Sequence, residues 1–165
     1  MQKITPYEIT KNPFTLIGKQ WAMITTCQDG KVNTMTASWG GVGIMWGKPA
    51  AFLFIRPQRF TRELMDKSGK FSVCFLPESQ REAMAYCGKA SGRNENKLAA
   101  CGLTAGKLEG VPVLDQSELV LICRKLYRQR LDPACLAEKE IDATWYPNQD
   151  HHYMYIAEIE TAYTK

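Results

Sequence analysis

Residues Asn33–Thr61 read NTMTASWGGVGIMWGKPAAFLFIRPQRFT, a polar segment, a glycine-rich segment and an apolar run in succession. The apolar run, Ala50–Arg56, does not alternate between apolar and polar residues, which is typical of a central strand buried on both faces. Pro57 ends it, because proline cannot donate a backbone hydrogen bond within a sheet. The glycines of Gly40–Gly47 predict a permissive loop around Ile44-Met45-Trp46. The stretch therefore predicts a loop that leads into a buried strand.

A hairpin is predicted immediately before this loop. The segment Trp21–Cys27 is apolar and β-branched, as strands are, and Lys31–Ser38 forms the returning strand. Between them, Asp29-Gly30 is the kind of pair that a tight hairpin turn requires, because both central residues take positive φ. Side chains two residues apart share one face of a strand. The returning strand thus carries a row of three hydroxyls, on Thr34, Thr36 and Ser38.

Three short helices are predicted from their end signals. Thr61 is the N-cap of a helix over Arg62–Ser68, which Gly69 ends. Ser79-x-x-Glu82 is a capping box, and the helix that it begins stops at Gly88. Asn94 caps a third helix that runs through Ala100 and is closed by Gly102.

Three further strands are predicted at Phe71–Leu76, Glu118–Leu131 and His152–Tyr163. Residues 1–19 and 132–150 are predicted to be irregular, and Thr104–Pro112 is predicted to be a turn-rich connector. Strands outnumber helices, and the two do not alternate in a βαβ rhythm. The pattern therefore favours a mainly β fold, an antiparallel barrel with short helices, over a doubly wound fold, in a single domain over residues 1–165.

Composition excludes several classes of protein. The chain has 165 residues, 45% of them hydrophobic and 23% charged, which are ordinary values for a globular domain. Its net charge of +4 is too small and too scattered to predict nucleic-acid binding. No apolar run approaches the roughly 20 residues of a membrane helix, and the N-terminal residues have no apolar signal region. We therefore expect a cytoplasmic protein with neither a nucleic-acid nor a membrane partner.

The cysteines and histidines do not predict a metal site. None of the six cysteines forms a Cys-x-x-Cys pair, so we interpret them as small hydrophobic residues of a cytoplasmic chain. The only histidines, His151 and His152, are adjacent, so their side chains point to opposite faces of a strand. No Ser/His/Asp set, paired carboxylates or Walker-type loop is present, and we predict no catalytic side chain.

Several polar side chains together predict a phosphate site. Thr36 and Ser38 supply hydroxyls, and Arg56 and Arg59 supply permanently charged, bidentate donors. The predicted helix N-terminus at Thr61 adds free N–H groups and a favourable dipole. The alternative is that the hydroxyls line a polar sheet face and that the arginines are solvated. The joint pattern favours the phosphate site.

A flat aromatic ligand is predicted beside this site. Trp39 offers an aromatic ring, and the following Gly40-Gly41 permits a close approach to the backbone. Lys89, in a glycine-flanked loop, places a positive charge near an anionic ring or phosphate, and His152 begins the last strand as a hydrogen-bond donor or proton source. The alternatives are a core tryptophan, a solvated lysine and a partly exposed strand-end histidine.

With these residues in place, the sequence resembles the flavin reductase-like, FMN-binding split-barrel proteins, and among them the flavoredoxin-type branch. The resemblance covers residues 15–160 and is thinner after Gly102. It departs from the family at Ala157, where glycine is usual, and over 132–150, which matches no family pattern. It is carried by Thr36-Ala37-Ser38-Trp39, Arg56-Pro57-x-Arg59-x-Thr61, Gly69-x-Phe71-Ser72-Val73, Gly88-Lys89-x-Ser91-Gly92-Arg93 and His152-x-x-x-Ile156-Ala157-Glu158-Ile159.

The resemblance implies a Greek-key split β-barrel that forms a homodimer with one FMN per subunit near the interface. It implies a flavin reductase in which NAD(P)H passes a hydride to flavin N5. Two alternatives stay open: a flavoredoxin-like electron carrier with a redox protein partner, and a non-enzymatic barrel that binds another phosphorylated ligand or haem. By the same resemblance, Thr36 and Ser38 would lie on the ribityl-phosphate side of FMN, and Arg56, Arg59 and Thr61 would help to hold its phosphate. Asn33, Trp39 and Lys89 would surround the isoalloxazine ring, and His152 would have a supporting role.

Overall fold

The computed structural model describes residues 1–165 and consists mainly of β-strands. The strands are β1 (Gln2–Ile4), β2 (Ala22–Gln28), β3 (Lys31–Ala37), β4 (Gly40–Met45), β5 (Lys48–Ile55), β6 (Lys70–Phe75), β7 (Ala105–Leu108), β8 (Val111–Leu114), β9 (Leu119–Arg130) and β10 (Tyr153–Thr164). The helices are α1 (Phe60–Lys67), α2 (Arg81–Lys89), α3 (Lys97–Ala100) and α4 (Lys139–Trp145). None of the helices is both long and apolar enough to span a lipid bilayer.

Eight of the strands form one sheet in which all the pairings are antiparallel. Its order is β3-β2-β6-β9-β10-β5-β4, with β1 paired to β10, while β7 and β8 form a separate hairpin. The prediction of a mainly β, antiparallel fold with short helices is confirmed, as is the interior position of the apolar strand β5. The strands at the two ends of this order, β3 and β4, come from the Asn33–Thr61 stretch or its immediate neighbours.

Two apolar clusters form the core. The larger, of 20 buried residues, packs β2, β5, β6, β9 and β10 around fully buried side chains such as Phe71 and Tyr155. The smaller, of 14 residues, packs α2 and the β7–β8 hairpin against the opposite face of β6 and β9, with Met84 and Leu114 fully buried. Because α2 is held by this second cluster, its C-terminal end has a fixed position beside β3.

The predicted loop at Gly40–Gly47 is wrong, because these residues form a second hairpin. Strands β4 and β5 pair directly, and the turn between them places Trp46 and Gly47 at φ of 50° and 69°. Gly40 is needed where β4 begins, since a Cβ there would overlap the carbonyl oxygen of Phe52. The glycines therefore permit close strand contact rather than flexibility.

Two predicted helix starts are also wrong. Helix α1 begins at Phe60 with Arg59 as its N-cap, so Thr61 lies within the first turn instead of capping it. Its hydroxyl is instead an acceptor for a buried amide of β3. The expected capping box at Ser79 is a 3-10 turn over Glu78–Gln80, and α2 follows from Arg81 without a side-chain cap. Packing against the second cluster decides where α2 begins.

Two helix ends differ by a few residues from the prediction. Helix α2 continues through Gly88 to Lys89 and does not stop at Gly88. The cap of α3 is Asn96, whose side chain accepts a hydrogen bond from Ala99 N at 3.3 Å, and not Asn94. The backbone N–H of Asn94 donates to Ser91 O, which closes a turn before the helix.

The two segments predicted to be irregular, and the predicted turn-rich connector, all contain regular structure. Residues 1–19 contain β1, which pairs with β10, and most of a π-helical turn over Thr15–Gln20. Residues 104–112 lie in the β7–β8 hairpin, and 132–150 contain α4. These elements are short, and tertiary pairing stabilises them where local propensity does not.

Candidate functional site

Two adjoining cavities form a groove where β3, β5, α1 and the end of α2 meet. We call the first, of about 240 Å³, the aromatic pocket; it is lined by residues 35–39 together with Phe54, Arg56, Arg59 and His152. We call the second, of about 300 Å³, the basic pocket; it is lined by Arg56, residues 58–61, residues 89–93 and Lys97. Arg56 and Arg59 line both pockets and therefore stand at their junction.

The basic pocket is lined by cations and by no carboxylate. Its five basic residues are Arg56, Arg59, Lys89, Arg93 and Lys97. Two of them are neutralised from outside the pocket, Arg56 by Asp150 at 2.6 Å and Arg93 by Glu63. Lys89 is exposed to solvent. The remaining two, Arg59 and Lys97, make no ion pair.

Arg59 and Lys97 converge on the end of α2. Lys97 is 2% exposed, and its Nζ donates to the carbonyl oxygen of Cys87 at 3.1 Å. The guanidinium of Arg59 donates to the same oxygen at 2.9 Å and to the carbonyl of Gly88. The negative end of the helix dipole attracts both cations. Carbonyls alone, however, leave two neighbouring positive charges without an anion.

Burial changes the pKa values of these two residues. Desolvation lowers the pKa of Lys97 to about 8 and also lowers that of Arg59. A buried cation without a counter-ion is destabilising, because the charged form has lost water and gained no opposite charge. An anion bound in the basic pocket would supply that opposite charge. The donor set therefore suits a phosphate group.

A buried hydrogen bond supports the floor of this pocket. Asn33, on β3, donates from Nδ2 to the hydroxyl of Thr61 at 2.8 Å, and both side chains are almost fully buried. Gly92 packs so closely on Asn33 that a Cβ would overlap the amide oxygen. This contact fixes the basic loop, residues 88–97, against β3 and α1. Asn33 itself lines neither pocket, so a direct role at a ring stays a prediction.

Two neighbouring rings, those of Trp39 and His152, line the aromatic pocket, and a third ring supports Trp39 from behind. Trp39 is 36% exposed and lies beside His152, with ring centroids 4.8 Å apart. Trp145, from α4, meets Trp39 edge to face at 5.0 Å. Helix α4 thus completes this end of the groove, although its segment matched no pattern in the sequence.

Two polar side chains of the aromatic pocket, Arg56 and His152, have hydrogen-bond partners within the protein. Arg56 donates to Asp150 and to the carbonyl of Trp145, at 3.0 Å, and so ties the 145–150 segment to the end of β5. His152 shares a hydrogen bond of 2.9 Å between its Nδ1 and the hydroxyl of Tyr146. Burial, reinforced by the positive charge of Arg56, lowers the pKa of His152 to about 4, so its ring is neutral at pH 7. A neutral ring suits a hydrogen-bonding role better than that of a proton source.

The predicted row of hydroxyls does not form a single ligand-facing surface. Thr34 is fully buried and bonds to Thr25 at 2.9 Å. Thr36 lines the aromatic pocket, but its hydroxyl donates to the carbonyl of Met84 on α2. Ser38 follows the end of β3 and is exposed. Of the three hydroxyls, Ser38 is the one that solvent or a ligand reaches most easily.

Most of the predicted site residues converge on the groove. Those that line it are Thr36, Ser38, Trp39, Arg56, Arg59, Thr61, Lys89 and His152. Sequence reasoning missed Lys97, Ser91 and Trp145. The only signal for Lys97 is that Lys89, Arg93 and Lys97 recur every four residues in a glycine-containing loop. Trp145 had no comparable signal.

The molecule is thus an antiparallel barrel with a groove that is aromatic at one end and cationic at the other. The chain belongs to the flavin reductase-like domain family, since that domain matches residues 15–161. This membership confirms the resemblance seen in the sequence.

Individual relatives are distant in sequence. YddH of Escherichia coli K12, an uncharacterised protein, is 26% identical over 117 residues. That match covers 70% of this chain and 59% of YddH, so the matched region spans only part of the relative's length.

Solved structures share the fold. An FMN-binding domain of a flavin reductase-like enzyme from Shewanella baltica superimposes with a TM-score of 0.73 at 18% identity and covers 99% of this chain and 76% of its own. Flavoredoxin of Desulfovibrio vulgaris gives 0.70 at 20% identity, covering 100% and 77%. These likenesses confirm the predicted split-barrel fold.

Proposed function

We propose that this chain is an FMN-binding flavoprotein and acts as an oxidoreductase that accepts a hydride from NAD(P)H. The observation that carries the proposal is the pair of buried cations, Arg59 and Lys97, which lack a carboxylate partner at one end of a groove whose other end holds Trp39. FMN joins a flat ring system to a phosphate that carries close to two negative charges at pH 7. Its two ends match the two ends of the groove in chemistry.

Family membership supports the same cofactor, and the residues present are suited to it. In the basic pocket, Arg59 and Lys97 would supply charge to the phosphate, and the exposed Lys89 and the hydroxyl of Ser91 would add donors. In the aromatic pocket, Trp39 and His152 would border the ring. When bound, the flavin supplies the hydride- and electron-transfer chemistry.

The chain's own residues would position the cofactor rather than react. Arg56 holds the wall formed by the 145–150 segment, through Asp150. His152 is neutral at pH 7 because burial lowers its pKa, so it would offer a hydrogen bond to a ligand without adding charge beside the ring. No protein nucleophile is needed for this reaction, and none was predicted from the sequence.

A second candidate is an electron carrier that exchanges electrons with a redox protein partner and does not react with NAD(P)H. The structural likeness to the flavoredoxin of Desulfovibrio vulgaris favours it. Anaerobic addition of NADH or NADPH to the FMN-loaded protein separates the two candidates. Bleaching of the visible flavin bands supports the reductase, whereas bleaching by dithionite alone supports the carrier.

The proposal includes a homodimer. Apolar side chains are exposed around the edge strand β4 beside Trp39, among them Phe14 at 88% and Ile44 at 59%. A second copy would cover them next to the groove. Sedimentation equilibrium should give a dimer that Phe14→Asp weakens, and a monomer at all accessible concentrations would contradict this part of the proposal.

The cofactor itself is tested by comparing FMN with riboflavin, which has the same ring system and no phosphate. We expect the protein to retain visible flavin bands after FMN is added and excess ligand is removed. FMN should bind tighter than riboflavin by about ten- to a hundredfold, the value of a charge-assisted phosphate contact. Equal affinity for the two ligands would overturn the assignment of the basic pocket.

A further inference from the structure

Two cysteine thiols meet directly beside the basic pocket. Cys87 lies near the end of α2, and Cys101 follows α3 immediately. Their sulfur atoms are 3.7 Å apart. A disulfide has an S–S distance of about 2.05 Å, so a movement of less than about 2 Å would join them. Both cysteines are free thiols here.

These two cysteines bracket the loop that builds the basic pocket. The segment between them contains Lys89, Ser91, Arg93 and Lys97, all of which line that pocket. The carbonyl of Cys87 is the shared acceptor for Arg59 and Lys97. The Sγ of Cys101 donates to the carbonyl of Lys97 at 2.9 Å. A bond between the sulfurs would therefore close a ring of chain around the proposed phosphate site.

We propose that Cys87 and Cys101 form a redox-active pair, which hydrogen peroxide oxidises to a disulfide that fixes the basic loop in its anion-binding shape. Cys101 is partly exposed, whereas Cys87 is fully buried, so peroxide reaches Cys101 first. There the thiol becomes a sulfenic acid and one water leaves. The thiol of Cys87 then attacks that sulfur, the S–O bond breaks, the S–S bond forms and a second water leaves.

The two thiols together lose two hydrogens and two electrons, and the peroxide is reduced to two waters, so the step balances. Local electrostatics agree with the assigned order. Burial raises the pKa of the Cys87 thiol to about 12. Cys87 therefore stays protonated and unreactive towards peroxide. In the second step its proton passes to the sulfenic hydroxyl as the sulfur attacks, and that oxygen leaves as the second water.

The cross-link would also act on ligand affinity, a consequence that rests on the proposed function. A loop that is free to fluctuate must be ordered when phosphate binds, and this ordering costs affinity. The disulfide removes part of that cost beforehand. We expect the oxidised protein to bind FMN about three- to tenfold more tightly than the reduced protein. Reciprocally, bound FMN should favour disulfide formation by the same factor.

The pair itself is tested by treating the full chain with stoichiometric hydrogen peroxide, blocking the remaining thiols and mapping the peptides by mass spectrometry. We expect a Cys87–Cys101 cross-link and the loss of two hydrogens in mass. Cys101→Ser should abolish it, whereas Cys135→Ser, at an exposed cysteine remote in sequence, should leave it intact. Free thiols at both positions, or oxidation confined to other cysteines, would overturn the proposal.

Affinity for FMN is then measured by equilibrium dialysis on the reduced and the oxidised forms of the same protein. Tighter binding after oxidation, absent in Cys101→Ser, supports the coupling, and equal or weaker binding overturns it. The two proposals fail separately. A cross-link in a protein that binds FMN in neither form would contradict the proposed function and support the redox pair. FMN binding by a protein whose two thiols stay free after peroxide treatment would support the proposed function and contradict the redox pair.

Discussion

The two pockets of the groove share two arginines and yet differ in how their charges are satisfied. In the aromatic pocket, Arg56 pairs with Asp150 and His152 bonds to Tyr146, so these two side chains have partners without a ligand. In the basic pocket, Arg59 and Lys97 have only backbone carbonyls as partners. Residue type alone does not distinguish Arg56 from Arg59; the carboxylate partner of Arg56 does.

Replacing each of the two arginines in turn tests whether they have different roles, and it should give the largest effect. Arg59→Ala should weaken FMN binding by about 1.5–3 kcal/mol, because a charge-assisted phosphate contact is lost. Arg56→Ala should change the ratio of FMN to riboflavin affinity much less, since Asp150 already neutralises it. Titration calorimetry with both ligands measures the effect. If both variants lost the preference for FMN over riboflavin equally, Arg56 would contribute to phosphate binding as much as Arg59 does, in spite of its ion pair with Asp150.

The pH dependence of binding tests Lys97 next. Above pH 7 the phosphate of FMN is almost fully dianionic, so its own titration changes FMN affinity little in this range. The pKa of Lys97 in the free protein is lowered to about 8, and a bound phosphate would raise it. Binding above pH 8 must therefore take up a proton, and FMN affinity should fall by up to about tenfold per pH unit.

Two lysine-to-methionine variants show whether Lys97 causes this pH dependence of FMN affinity. Lys97→Met should make FMN affinity weaker at pH 7 and nearly constant between pH 7 and 9. Lys107→Met, at an exposed lysine of the β7–β8 hairpin, should keep the wild-type slope. A wild-type affinity that does not change across this range would place Lys97 outside the phosphate site.

Particular residues show how far the sequence alone could predict this site. Arg56, Arg59 and Trp39 were predicted because local patterns place them: a strand end, a helix start and a glycine pair. Lys97 was missed, since its burial depends on α3 packing beside α2, and nothing within the loop encodes that contact. Asp150 was missed as the partner of Arg56 for the same reason, because 94 residues separate them.

The fold was predicted better than its short elements. The apolar strand β5 carries its own signal in its unbroken hydrophobic run. Hairpin β4–β5 was taken for a loop because glycine lowers strand propensity, although here it allows close backbone contact at Gly40. Helix α4 was not predicted, since it has only seven residues and buries none of them, so no apolar stripe marks it in the sequence.

Stability should change in the opposite direction to binding at Lys97. Its depressed pKa means that the folded protein is stabilised as pH rises from about 8 towards the ordinary lysine value. At pH 7 the buried charge is therefore a cost, and Lys97→Met should stabilise the ligand-free protein by about 1–2 kcal/mol. Urea unfolding in phosphate-free buffer measures this, with Lys107→Met as the surface control. A destabilised Lys97→Met would show that the bond to Cys87 outweighs the desolvation.

The aromatic pocket should give the smallest effects, because Arg56 and His152 already have partners within the protein. Trp39→Ala should shift the spectrum of bound FMN and cost about 0.5–1.5 kcal/mol of folding stability, the value of its aromatic contacts. Trp145→Ala should leave the spectrum closer to that of the wild type, since Trp145 stands against Trp39 and does not line the pocket itself. Absorption spectra of the two FMN-loaded variants make the comparison. If Trp145→Ala changed the spectrum as much as Trp39→Ala does, helix α4 would belong to the binding surface and not only to its support. That result would move the ligand-facing part of the site into residues 132–150, the segment least like the rest of the family.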